Sequence, residues 1–176
     1  IVHMGKALYV GISNYPADRA LEAKKLLKEY GVDLLIHQPK FSMLNRWIQD
    51  EGLVDAMVEE GVGIIPFSIL SQGLLTTKYL KEIPKDSRAG DKANPFLNEA
   101  NITKEVLDKV VKLNEIAIKR GQTLAEMAVS WTCQSKGISS VLLGVSRLEQ
   151  LLSNIKALEH LEFSSAELLN IDRITK

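Results

Sequence analysis

The chain has 176 residues with 22 Lys plus Arg against 22 Asp plus Glu, so one domain is the default and no net field draws it to nucleic acid or an anionic membrane. A single cysteine, Cys133, excludes an internal disulfide, and its setting near Met127, Ala128 and Trp131 predicts a buried thiol in a reducing compartment. No secretory leader pattern is visible and no apolar run approaches about 18 residues, so the expectation is a soluble, cytoplasmic protein with neither nucleic acid nor membrane as partner.

In chain order, apolar strand-like runs fall at 7–11, 33–37, 63–67 and 139–143, and their cores are almost continuously apolar rather than alternating. That pattern suits parallel strands covered on both faces. Residues 18–30 set Leu21, Leu26 and Leu27 on one side and Lys24, Lys25 and Lys28 largely on the other, with Gly31 as the stop. Residues 48–60 repeat the scheme and end at Gly61. From 68 to 101 Pro84, Asp86, Gly90, Asp91, Asn94 and Pro95 prevent either period from persisting, and a long irregular loop at that point is usually functional or disordered. Helices are expected at 104–120 and 123–134, broken at Gly121, the second opening on a Thr123–Glu126 capping box. The last strand leads into a helix at 148–158. A final helix opens at Ser164 or Ser165, with Glu167 in its first turn and Leu168, Ile171 and Ile174 on one side. The prediction is four βα repeats of a parallel α/β fold.

Four segments carry candidate chemistry. The run Gly5-Lys6-Ala7-Leu8-Tyr9-Val10-Gly11-Ile12-Ser13-Asn14-Tyr15 is a strand ending in a small polar cluster, either an ordinary Ser-Asn turn or a ligand-contacting strand mouth. In Ile36-His37-Gln38-Pro39 a strand ends on a side-chain amide, Gln38, that both donates and accepts; it either caps the strand or meets a carboxamide. His37 reads as structural, because alternation points it away from the Gln38 side. In the run 61–79, Phe67 offers a flat ring at a strand end and the backbone amides beyond it suit a pyrophosphate. In the run 143–154, a small-residue turn at Gly144 precedes a helix whose free N–H groups attract phosphate, with Ser146, Gln150 and Asn154 at i, i+4 and i+8; a plain capped surface helix gives the same pattern.

These segments, in this order and spacing, resemble the C-terminal half of aldo-keto reductases over essentially all 176 residues. The subgroup is that of bacterial glyceraldehyde and methylglyoxal reductases and potassium-channel beta subunits. The resemblance implies a (β/α)8 TIM barrel, of which residues 1–176 supply about the second half, strands five to eight with their helices, and the long cofactor loop 68–101. It implies NADP(H) as cofactor: Ser13, Asn14 and Gln38 at the nicotinamide carboxamide and Phe67 stacked on its ring. Ser68, Leu70, Gly73, Lys78, Ser87 and Arg88 would hold the pyrophosphate and ribose phosphate, and Gly144, Ser146, Gln150 and Asn154 the 2′-phosphate and adenine. Ile69 stands where the subgroup has Pro and Thr77 where it has Gly, which predicts weaker binding. Val145 stands where other members have Lys, leaving Arg88 and Arg147 as cations for a 2′-phosphate.

The same resemblance puts the catalytic Asp, Tyr, Lys and His on the first four strands. None of Tyr9, Tyr15, Tyr30 and Tyr79 matches the catalytic Tyr, so no catalytic residue is assigned. Ile1-Val2-His3-Met4 reads as the end of a preceding helix, and so as an interior segment of a cut or truncated product. The expectation is an NADP(H)-binding portion of an oxidoreductase for small aldehydes or ketones, inactive alone, which forms a homo-oligomer or pairs with an N-terminal half. An NADP(H)-sensing regulatory subunit and an inactive remnant are the rival readings.

Overall fold

Where apolar runs meet turn residues, the chain alternates strand and helix. The structure is a computed structural model that describes residues 1–85, 87–91 and 93–176; Asp86, within the Asp86-Ser87-Arg88 motif, and Lys92 lie outside the described residues. Strands β1 (Val10–Ser13), β2 (Leu34–Gln38) and β3 (Gly63–Ile64) form one parallel sheet in the order β1-β2-β3. Helix α1 (Ala17–Glu29) joins the first pair. Helices α2 (Trp47–Asp50) and α3 (Leu53–Glu59) join the second, so the single helix expected over 48–60 is two. The break is Gly52 at φ 73°, a conformation that glycine adopts without a Cβ clash.

Register separates two faces. Ile12, His37 and Ile64 are paired in a row that faces the helices. Gly11, Ile36 and Gly63 form the opposite row, where a Cβ on Gly11 would come within 2.8 Å of Ile36 Cγ1. There β1 approaches β2 closely because Gly11 has no side chain.

Two of the expected strands are corrected. The first begins three residues later, because only 10–13 lie alongside β2 while Leu8 and Tyr9 stay exposed. The run 139–143 is extended but not a regular strand. It touches β3 through an Ile138–Ile64 bridge and through the Ser139 and Leu142 N–H groups, which donate to Ile64 and Pro66 carbonyls at 2.9 Å each. Pro66 has no N–H to return, which shortens β3 and interrupts the ladder between them.

The C-terminal half is helical: α4 (Lys104–Lys119), α5 (Leu124–Gln134), α6 (Leu148–Lys156) and α7 (Ser165–Thr175). The expected Thr123–Glu126 capping box is present, and the cap expected at Ser164 or Ser165 is Ser164, which forms a second box with Glu167. Helix α5 is central, burying Leu124, Met127, Trp131 and four other side chains, with Phe41 stacked on Trp131 at 5.2 Å. Cys133 is half-buried rather than buried, and burial pushes its thiol pKa up.

Helix α1 departs from its expected face. It buries Ala20, while Leu21 and Leu26 are exposed, because only β2 and α3 pack on it. The loop 68–101 contains two short 3-10 turns, Ser71–Gly73 and Glu99–Asn101, and has a small core of its own in Tyr79, Ala89 and Leu97. No helix among the described residues is long and apolar enough to cross a membrane.

Candidate functional site

The mouths of β1, β2 and β3 bring the first group of predicted residues together. Ser13 is the register partner of Gln38, and its Oγ donates to the Gln38 carbonyl at 2.7 Å; the Asn14 N–H reaches the same oxygen at 3.3 Å. Asn14 is left-handed at φ 56°, which Asn tolerates better than most residues, and its Oδ1 accepts from the Lys40 N–H at 2.8 Å. With those bonds made, Ser13 retains accepting lone pairs and Asn14 a donating NH2 group. The half-buried Gln38 lies beside them. An acceptor, a donor and a side-chain amide on adjoining strand ends suit a primary carboxamide.

The end of β3 supplies the second group. Phe67 is half-buried and continues the ladder, its N–H donating to Pro39 at 3.0 Å and its carbonyl accepting from Phe41 at 3.2 Å. The chain then turns through positive φ at Ser68 (56°), Ser71 (47°), Gln72 (60°) and Gly73 (98°). A 2.7 Å contact between the Ser42 and Ser71 hydroxyls pins that turn to the loop after β2. Sequence reasoning passed over Gln72, a variable position in the motif. Its Nε2 donates to Ser68 Oγ at 2.8 Å and its Oε1 accepts from Arg88 Nη1, which brings two predicted residues together.

The two departures from the subgroup pattern have local roles. Ile69 is buried against Val129 and Ala157, anchoring the turn to α5 and the end of α6. Thr77 is exposed and is not among the positive-φ residues, so no glycine is required there. Leu70 is half-buried beside both apolar clusters, and Lys78 is exposed with its N–H on Thr76 Oγ1 at 3.1 Å. Ser87 is 3% exposed and its Oγ accepts the Gly90 N–H at 3.1 Å, so that hydroxyl is engaged inside the loop.

At the start of α6, Gly144 is exposed, and the Ser146 N–H and Oγ both donate to Gln150 Oε1 at 3.0 and 3.2 Å. Asn154 does not join them; it is 4% exposed and turned inward. Ser146 precedes α6, which begins at Leu148, so helical spacing does not relate it to Asn154.

His37 is fully buried on the helix-facing row, as its alternation with Gln38 predicts. Its Nε2 donates to the Tyr15 carbonyl at 3.0 Å, its Nδ1 is buried without a partner, and burial holds its pKa below the usual imidazole value despite that bond. Arg46 and Trp47 are held by internal contacts. Arg46 Nη1 pairs with Asp172 at 2.6 Å and with Thr175 Oγ1 at 3.1 Å, while Trp47 Nε1 donates to the Lys40 carbonyl at 2.7 Å.

Two surface recesses lie away from these residues, one along α1 near Tyr15 and Arg19, the other near Arg120 and Phe163. The second is occupied by its own chemistry: Arg120 pairs with Glu167 at 2.9 Å and stacks on Phe163 at 3.6 Å. No cluster of three or more His, Cys, Asp or Glu that could hold a metal ion occurs among the described residues.

With this geometry in view, comparison with known proteins places the chain. The model of the aldo/keto reductase family matches residues 1–176. The chain belongs to the aldo/keto reductase family. It is similar to L-glyceraldehyde 3-phosphate reductase of Escherichia coli strain K12, 47% identical over 174 residues that make up 98% of this chain and 50% of that protein. The counterpart from Escherichia coli O157:H7 gives the same identity and coverage. The chain spans about half the length of the curated relatives it matches. Membership assigns it to a family of oxidoreductases whose fold is the (β/α)8 barrel and whose usual cofactor is NADP(H). The chain's own parallel α/β structure agrees with that class.

Proposed function

We propose that residues 1–176 are the cofactor-binding portion of an aldo-keto reductase, half of a (β/α)8 barrel, and that the complete barrel reduces a small aldehyde or ketone with NADPH. The observation that carries this reading is the convergence of Ser13, Asn14 and Gln38 on adjoining strand ends, with Phe67 on the next strand. Ser13 and Asn14 orient a carboxamide between an accepting oxygen and a donating amide, and Gln38 completes its hydrogen bonds. Phe67 offers a face for the ring, Arg88 and Lys78 oppose phosphate charge, and Ser146 with Gln150 receives the adenosine end. NADPH, when bound, supplies the hydride. The proton donor belongs to residues outside these 176, so the chain by itself binds without turnover. The E. coli relatives are named for L-glyceraldehyde 3-phosphate, which makes that aldehyde the first substrate to assay in the complete barrel.

Fluorescence titration of NADPH tests the reading. Saturable binding is expected, weakened about tenfold by Gln38→Ala, as for loss of one well-made contact of about 1.4 kcal/mol. No binding, or identical affinity in the variant, would overturn it. Carbonyl-dependent NADPH oxidation by the 176 residues alone would refute the placement of the proton donor.

A further inference from the structure

We propose that Gln72 is a positioning residue that presents Ser68 and Arg88 together to a cofactor phosphate and thereby sets the preference for NADPH over NADH. The inference rests on the cofactor reading above and adds to it a residue that the motif leaves open.

The argument starts from donors and acceptors. Arg88 can only donate, so the Gln72 atom that faces it must be Oε1; Nε2 is then the atom that donates to Ser68 Oγ at 2.8 Å. The amide orientation is therefore fixed by its two partners. Because Ser68 Oγ accepts from Gln72, its own proton is left over for an anion. Arg88 uses one of its five N–H donors in the contact, and the guanidinium remains exposed. One side chain thus holds a hydroxyl and a cation on the two atoms of a single amide in the turn after β3.

The backbone explains how Gln72 reaches both. Ser71, Gln72 and Gly73 lie in succession at positive φ, and Gly73 N–H donates to the Leu70 carbonyl at 2.9 Å. The Ser42–Ser71 hydroxyl contact and the buried Ile69 hold the two sides of the turn. Gln72 is the link from this fixed turn to Arg88, which belongs to the long loop. Without it, Arg88 keeps its charge but loses its fixed place beside Ser68. The energetic consequence falls on the 2′-phosphate, the group that distinguishes NADPH from NADH.

The test compares NADPH and NADH, and adenosine 2′,5′-bisphosphate against 5′-AMP as cofactor-fragment probes, by titration of the intact protein. Gln72→Met keeps length and removes both hydrogen bonds; it is expected to weaken NADPH and the bisphosphate about tenfold while changing NADH and 5′-AMP less than about twofold. Arg88→Met gives the same selective loss, and the double variant loses less than the sum of the two single losses, because part of the effect of Gln72 passes through Arg88 and the rest through Ser68. Gln72→Glu pairs with Arg88 but cannot donate to Ser68, and its negative charge lowers affinity for the bisphosphate further. Equal losses for both dinucleotides in Gln72→Met, or additive losses in the double variant, overturn the proposal. If Arg88→Met is selective and Gln72→Met is silent, this inference alone fails. If the wild-type protein binds neither dinucleotide, the cofactor reading fails and this one with it.

Discussion

Arg46 makes directional contacts to two elements. Its Nη1 meets Asp172 at 2.6 Å and Thr175 at 3.1 Å, its Nε meets Gln49 at 2.9 Å, and the guanidinium lies 5.2 Å from the Trp131 ring centre. Burial by itself would raise the Asp172 pKa, but the hydrogen bond and charge of Arg46, helped by Lys176, outweigh it and leave the carboxyl below its usual value. A carboxyl with a folded pKa below its unfolded one binds fewer protons when folded. Its stabilisation is present above the unfolded value of 3.8 and disappears as pH falls through the lower, folded value. Arg46→Met, which keeps the apolar stem over Trp131, is therefore expected to cost about 1–2 kcal/mol at neutral pH. That is less than a fully buried pair because the Asp172 side chain is 38% exposed and solvent screens it. Urea unfolding at pH 7 and near pH 3 checks both parts: the gap between wild type and variant should narrow in acid. A gap that is constant with pH would mean that the hydrogen bonds of Arg46 to Gln49 and Thr175, and not its pair with Asp172, carry the effect.

The helices divide by how their ends are satisfied. Thr123 Oγ1 accepts from the Glu126 N–H at 3.2 Å while Glu126 Oε2 accepts from the Thr123 N–H at 2.8 Å, and Glu126 Oε1 also receives Ser153 Oγ at 2.8 Å from α6. One box thus starts α5 and ties it to its neighbour. Ser164 and Glu167 repeat the arrangement on α7, where Glu167 also holds Arg120. Thr123→Ala should lower stability by about 1 kcal/mol, read as a lower urea midpoint with an unchanged slope. A change below about 0.3 kcal/mol would mean that the buried α5 face alone fixes the helix start. The Thr123 box was legible because a cap and its partner sit three residues apart in one element, and for the same reason the cap of α7 was narrowed to Ser164 or Ser165. The apolar run at β2 was legible for a similar reason, since few alternatives suit so continuous a stretch. What escaped the sequence depends on partners far along the chain. The leucines of α1 advertise a buried face without saying what lies opposite, and Leu21 and Leu26 are exposed in these 176 residues. Gln72 escaped because its positive φ and its reach to Arg88 leave no mark on composition or period. Asn154 was read onto one face with Ser146 by helical spacing, but Ser146 lies before α6, where that spacing does not hold.

At the scale of the molecule, two of the exposed apolar patches flank the sheet. On one side Leu8 and Tyr9, next to the outer edge of β1, are 82% and 69% exposed. On the other, Leu148, Leu152, Ile155 and Leu158 line α6 at helical spacing, each about half exposed or more. Helix α6 therefore buries one face against α5 and leaves an apolar stripe on the other, a pattern that calls for a covering partner. A chain that spans half of its relatives' length has an obvious complement in a further set of strands and helices. We propose that this complement, either a second copy or an N-terminal half, covers the α6 stripe and the β1 edge, closing the edges that an open sheet leaves. Leu152→Glu separates this from incidental exposure. At a site 54% exposed the substitution should change the unfolding midpoint of a monomer little, within about 0.5 kcal/mol. Burying a carboxylate against an apolar partner costs far more, so association should weaken by at least tenfold. Light scattering over a concentration series reads the outcome: wild type with mass rising toward a defined complex, Leu152→Glu shifted toward the 19.6 kDa chain. A wild-type mass that stays at the single-chain value over the whole series, with no added N-terminal half able to raise it, would rule out the pairing.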